Sequence, residues 1–149
     1  MSPMAFAGRS DQAGAAEQRR RDATTLLSGK RWLGSIYMMG YAIECALKAK
    51  LMRIHDELDL TKLQAKLSER RGTAIELQTH SLEYLFNLLE VKDRMSDSRE
   101  GIAVRNALAY CNSKWSSELR YSRRDGTEDE CTDFLENAER LLTFIAGSV

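Results

Sequence analysis

The only proline in the 149-residue chain is Pro3, so everything from Met4 onward is proline-free. Tight turns draw heavily on proline and glycine, and β-sandwiches and loop-rich domains need many such turns. A proline-free run of this length predicts helices joined by short connections. A chain this long also buries roughly two-thirds of its unfolded surface, enough for one domain with a sizeable core. The expected fold class is therefore all-α, a helical bundle with antiparallel neighbours where the loops are short.

Hydrophobic spacing places the helices. Met1 to Arg9 has no periodicity and is expected to be a flexible leader, with residues 10–149 forming one helical-bundle domain. A first helix is predicted over Asp11 to Leu27, capped by Ser10 or Asp11 and stopped at Ser28-Gly29. Its apolar stripe is thin. The second, Arg31 to about His55, is the strongest element: Leu33, Ile36, Gly40, Ile43, Leu47 and Leu51 recur at three-and-four spacing. Gly34, Gly40, Ala42, Ala46 and Ala49 in the same helix are small. Each interior glycine costs about 1 kcal/mol relative to alanine, so close approach of a neighbouring helix is expected there.

Beyond it, Thr61-Lys62-Leu63-Gln64 reads as a capping box opening a short helix that ends near Arg71-Gly72. Ser81 to Leu89 forms another short amphipathic helix, and Lys92 to Ser98 a polar loop. Val104, Leu108, Cys111 and Trp115 line one face of a helix covering about Arg99 to Asn112. Thr127 to Glu130 is a second capping box, leading into Phe134, Ala138, Leu141 and Ile145.

Charge and chemistry narrow the function classes. Lys plus Arg equals Asp plus Glu at 22 each, and that global balance argues against an obligate nucleic-acid binder or a polyanion-like tail. The balance nevertheless hides segregation. Lys114 to Arg124 is basic and Asp125 to Glu139 acidic, and capping accounts for much of the acid. Cys45, Cys111 and Cys131 form no paired framework, so buried free thiols and a cytoplasmic setting are expected. The uncharged run Trp32 to Ile43 falls well short of the roughly 20 residues a bilayer requires, so no membrane span is expected. His55 and His80 lack partners at metal-ligand spacing. Neither a metal nor a cofactor is expected.

Three groups of polar residues could carry function. Glu44 and Lys48 sit one turn apart on an otherwise apolar helix, so a half-buried Glu44 needs a cationic or donor partner, for which Arg105 or Arg120 is available. Arg105 and Asn112, seven apart, share one face of the fifth helix. Trp115, Arg120 and Tyr121, among Lys114, Arg123 and Arg124, form a basic and aromatic segment able to hold phosphate and stack a base. Each group also has a plainer reading, as a surface pair, a solvated edge and a loop anchor. His80 could cap the helix that follows it or donate a hydrogen bond.

The segment Tyr37-Met38-Met39-Gly40-Tyr41-Ala42-Ile43-Glu44-Cys45-Ala46-Leu47-Lys48-Ala49 resembles the long-helix signature of HEPN-domain proteins. Thr79-His80-Ser81-Leu82 and the stretch from Trp115 to Tyr121 are similar to that family as well. The resemblance implies an up-and-down bundle of about four or five helices, often dimeric. It also implies nucleotide binding, or metal-independent endoribonuclease activity in toxin–antitoxin and defence systems beside nucleotidyltransferases. Ribonuclease members carry an Arg and a polar residue, then a His after four to six intervening positions. Here Arg105-Asn106 matches the first half, but the candidate positions hold Tyr110, Cys111 and Asn112. Cleavage through a 2′-hydroxyl requires a group titrating near neutrality, which His provides and Asn112 cannot.

The preferred reading is therefore a non-catalytic HEPN-like module binding nucleotide or RNA, or serving as partner subunit to a nucleotidyltransferase-type protein, and forming a homodimer. Its site would comprise Arg105, Asn106, Asn112, Trp115, Arg120 and Tyr121, with Glu44 and Lys48 facing them. One alternative is a divergent endoribonuclease using Arg105, Asn106 and Tyr110. Another is a structural subunit in which Glu44, Lys48 and Arg120 form a sealed internal network.

Overall fold

The amphipathic segments become six α-helices across the residues that the structure, a computed structural model, describes: 8–91, 95 and 98–147. They are α1 (Arg9–Ser28), α2 (Trp32–Ile54), α3 (Leu60–Arg71), α4 (Leu82–Leu88), α5 (Arg99–Lys114) and α6 (Glu128–Gly147). A short 3₁₀ helix, Ser117–Tyr121, lies between α5 and α6. No strand occurs among the described residues, so the fold is all-α, with four long helices carrying the bundle. None of these helices is long and apolar enough to cross a membrane.

The core gathers on α2, which packs most extensively against α1 and α6, with α4, the 3₁₀ helix and α3 making smaller contacts. Ile36, Ile43, Leu47 and Leu51 of its apolar stripe are buried. They meet Leu82, Leu85 and Phe86 from α4, Val104, Leu108, Cys111 and Trp115 from α5, and Phe134, Ala138, Leu141 and Ile145 from α6. Each large apolar side chain so buried contributes on the order of 1.5–3 kcal/mol. Polar groups in this core are satisfied: the Ser35 hydroxyl donates to the Ala23 carbonyl at 2.7 Å, tying α2 to α1. Lys50 donates to the Ala146 carbonyl at 3.4 Å, placing a cation where the end of α6 is negative.

The element ends show where local rules and tertiary contacts part. α1 starts ahead of its expected Ser10 or Asp11 cap. Its N-cap is Gly8, which makes no side-chain cap, and the Arg9 amide donates to the Leu58 carbonyl at 3.0 Å. That tie to the α2–α3 connection draws Arg9 out of the expected leader into the helix. Met1 to Ala7 lie outside the described residues, as do Lys92, Asp93, Arg94, Ser96 and Asp97 of the expected polar loop. The α3 cap is Asp59, not Thr61: its carboxylate accepts from the Thr61 and Lys62 amides at 2.8 and 3.2 Å. Asp59 stands two residues ahead of the box, so the helix already begins at Leu60 and a charged acceptor takes the amides of Thr61 and Lys62. At the other end Gly72 is left-handed at φ 67°, the conformation that closes a helix without a Cβ penalty. Thr127 does cap α6, its hydroxyl accepting from the Glu130 amide at 3.1 Å.

Candidate functional site

Tyr37, Tyr41, Glu44 and Lys48 follow one another on α2 at intervals of four, three and four, and so share one face beside its apolar stripe. Against that face come His80 from the stretch before α4, Trp115 from the end of α5, and Arg120 and Tyr121 from the 3₁₀ helix.

Glu44 is 5% exposed and Lys48 7%. The carboxylate takes the Lys48 ammonium at 3.2 Å on one oxygen and His80 Nδ1 at 2.7 Å on the other. The partner of Glu44 is thus neither Arg105 nor Arg120. The correction has a simple cause: the chain before α4 passes directly over Glu44 and brings His80 to it. A carboxylate only accepts, so Nδ1 is the donor in this bond and Nε2 is the ring nitrogen left outside it. His80 does not cap α4. Ser81 does, accepting from the Tyr84 amide at 3.2 Å. The His80 side chain is 49% exposed while Glu44 beneath it is sealed, so a buried acid orients an accessible imidazole.

Aromatic rings surround this pair. Tyr41 stands edge-on to Tyr37, Trp115 and His80, with centroids at 5.0, 5.1 and 5.8 Å. Burial, the Tyr37 hydroxyl and the Glu44 charge hold the Tyr41 phenol well above its ordinary range, so it stays protonated and accepts a hydrogen bond from the Tyr37 hydroxyl at 3.4 Å. The Trp115 N–H donates to the Tyr37 carbonyl at 3.0 Å, fixing the indole flat on α2 over Gly40. A Cβ at Gly40 would fall inside that indole, which accounts for a glycine in mid-helix.

Arg120 is solvent-facing. It donates to the Tyr121 hydroxyl at 2.9 Å and lies 4.8 Å from that ring's centre, while Tyr121 is 72% exposed. The Tyr121 and Tyr37 hydroxyls raise the Arg120 pKa further. Glu44, Lys48 and Arg120 therefore do not form one sealed network: two are buried and the third faces outward.

The remaining residues singled out from the sequence sit elsewhere. Asn112 clamps α5 to the start of α4, accepting from the Glu83 amide at 3.1 Å and donating to the Glu83 carboxylate at 3.4 Å. Arg105 donates to the Met95 carbonyl at 3.3 Å. It lies ten residues, hence about 15 Å along α5, from Trp115. Its neighbour Asn106 is exposed. Tyr110 is about 140° around the helix from Arg105. Its ring lies 6.4 Å from that of Phe134, with Lys114 over it, and burial raises its pKa. A phenol shifted that way is still less ionised near neutrality, and it points to α6 rather than to the Arg105 side.

Sequence reasoning omitted Tyr37, Tyr41 and His80 from the site. The four-three-four spacing on α2 was the available signal for the tyrosines. For His80 only the Thr79-His80-Ser81-Leu82 resemblance marked the position. Among the described residues no cluster of metal-ligating side chains occurs.

A family model described as the HEPN domain matches residues 13–148. No curated protein and no solved structure matches the chain. The family match runs from α1 through α6 and takes in every side chain of the face just described, so the chain belongs to the HEPN-domain family.

Proposed function

We propose that this chain is a nucleotide- or RNA-binding HEPN module and that the face carrying Tyr37, Tyr41, His80, Trp115, Arg120 and Tyr121 is its contact surface. The observation that carries this reading is the exposed Arg120–Tyr121 pair on a platform fixed by Trp115. A cation stacked on an accessible ring offers a phosphate contact and a π-face side by side. Arg105, Asn106 and Asn112 are no longer needed in this site. Family membership also supports a nucleotidyltransferase-type partner protein, a homodimeric assembly and a cytoplasmic setting as parts of the same proposal.

Calorimetry with short single-stranded RNA and with nucleotides tests it. Saturable binding is expected, weakened roughly 5- to 100-fold in Tyr121→Ala or Arg120→Ala, the span of about 1–3 kcal/mol per stacked base. Both side chains are exposed, so the variants retain the fold. Absence of saturable binding to either ligand class would overturn the proposal.

A catalytic reading has one observation in its favour, the Glu44–His80 pair at 2.7 Å. In that reading His80 Nε2 takes the proton of a 2′-hydroxyl, whose oxygen attacks the adjacent phosphorus; the P–O5′ bond breaks and the 5′-oxygen takes that proton from the imidazolium, leaving a 2′,3′-cyclic phosphate. The same RNA decides it. Strands cut by the native protein but intact with His80→Ala would make the module a ribonuclease. Strands left intact at every pH between 5 and 9 would end the catalytic reading and leave the binding one.

A further inference from the structure

Next to this face, between the start of α2 and residues 119–125, lies a cleft of about 340 Å³ lined by Arg31, Arg120, Arg123 and Arg124. Tyr37 forms part of its wall, so it opens onto the face described above. Among the described residues the only acid lining it is Asp125. Arg124 is drawn aside at 3.5 Å to Glu130. The side chains of Arg31 and Arg123 have no hydrogen bond or ion pair among the described residues. Guanidinium groups sharing one cleft repel each other, and among the described lining residues Asp125 alone is set against four of them.

The backbone adds to the imbalance. α2 opens without a side-chain cap, and the residue at its N-cap position is Arg31. A cation there has the wrong sign for the positive end of a 23-residue helix, where acceptors and anions are favoured. Both features, the unneutralised arginines and the cation at an uncapped helix start, are relieved by the same thing: an anion with several acceptor oxygens.

We propose that this cleft is a receptor for a terminal phosphate. A phosphate monoester presents three free oxygens and close to two negative charges, and guanidinium pairs grip such groups bidentately. The cleft is at the small end of ligand-pocket sizes, which suits a head group and not a run of nucleotides. The phosphate could terminate an RNA strand or belong to a free nucleotide. The proposal rests on the reading of the neighbouring face as a nucleotide or RNA surface, since Tyr37 and Arg120 belong to both.

Fluorescence anisotropy with RNA oligonucleotides of one sequence, carrying a 5′-phosphate, a 3′-phosphate or neither, separates the two readings. ATP against adenosine provides the nucleotide arm, and inorganic pyrophosphate alone probes the cleft. A gain of tenfold or more from the phosphate is expected at low salt. Arg31→Ala combined with Arg123→Ala should abolish that gain and leave binding of the unphosphorylated strand unchanged. A gain confined to RNA identifies a strand end as the source, and one confined to ATP identifies a nucleotide. Equal affinity for phosphorylated and unphosphorylated ligands would overturn the phosphate receptor while leaving the neighbouring face as proposed. Pyrophosphate binding that the double variant loses, with no binding of RNA, ATP or adenosine, would keep the receptor and overturn the face.

Discussion

Gly40 is unfavourable in its own helix by about 1 kcal/mol relative to alanine. The Trp115 indole, pinned to the Tyr37 carbonyl, occupies the space a side chain would need. Gly40→Ala is therefore expected to destabilise the protein by about 1–3 kcal/mol despite the gain in helix propensity, as overpacking does. Urea denaturation followed by circular dichroism measures this, and an unchanged or higher midpoint would contradict the packing of Trp115. At this scale the sequence showed that something packs closely on α2, because two glycines in a long helix demand a reason. It did not show that the neighbour is an aromatic ring from 75 positions away. Glu44 is similar. Its placement on an apolar helix announced a need for a partner, but His80 lies 36 residues distant and no local rule links the two.

Among the elements, the strongly periodic helices were legible and their ends less so. α5 and α6 bury Val104, Leu108, Cys111 and Trp115, and Phe134, Ala138, Leu141 and Ile145, the residues that their spacing selects. Helix starts depend on which of several polar residues reaches the free amides first. At α3 that residue is Asp59, so Asp59→Ala is expected to cost about 1 kcal/mol and Thr61→Ala less. Thermal melts of the two variants compare them directly, and a larger loss with Thr61→Ala would restore the capping-box reading. The 3₁₀ helix that presents Arg120 and Tyr121 had no periodicity to reveal it, because its five residues complete fewer than two turns. Its start is nonetheless chemically clear in hindsight: the Ser116 hydroxyl accepts from the Glu118 amide at 3.2 Å.

For the whole molecule, burial around α2 has consequences that all three thiols report. Cys111 and Cys131 are buried, and Cys45 is half-buried. Burial pushes the Cys111 thiol up to about 12 and the Cys45 thiol up to about 11, and raises Cys131 as well. Thiolate, the reactive form, is therefore scarce at neutral pH. A thiol reagent at pH 7.5 is expected to label Cys111 and Cys131 only as fast as the bundle opens, with rates rising through the urea transition. Rapid labelling of all three in native buffer would contradict the packing of α5 on α6 and of α6 on α2. The equal count of acids and bases conceals a similar large-scale fact. Arg31 is distant in sequence from Arg120, Arg123 and Arg124, yet they share one cleft. By itself the sequence determined the all-α class, the long helices and their buried faces, because proline scarcity and three-and-four periodicity are local properties written into consecutive residues. Only the tertiary structure decided which side chains meet, from His80 on Glu44 to Trp115 on Gly40 and the arginines around the start of α2. Those meetings depend on how helices far apart in the chain pack against α2, and periodicity carries no record of that.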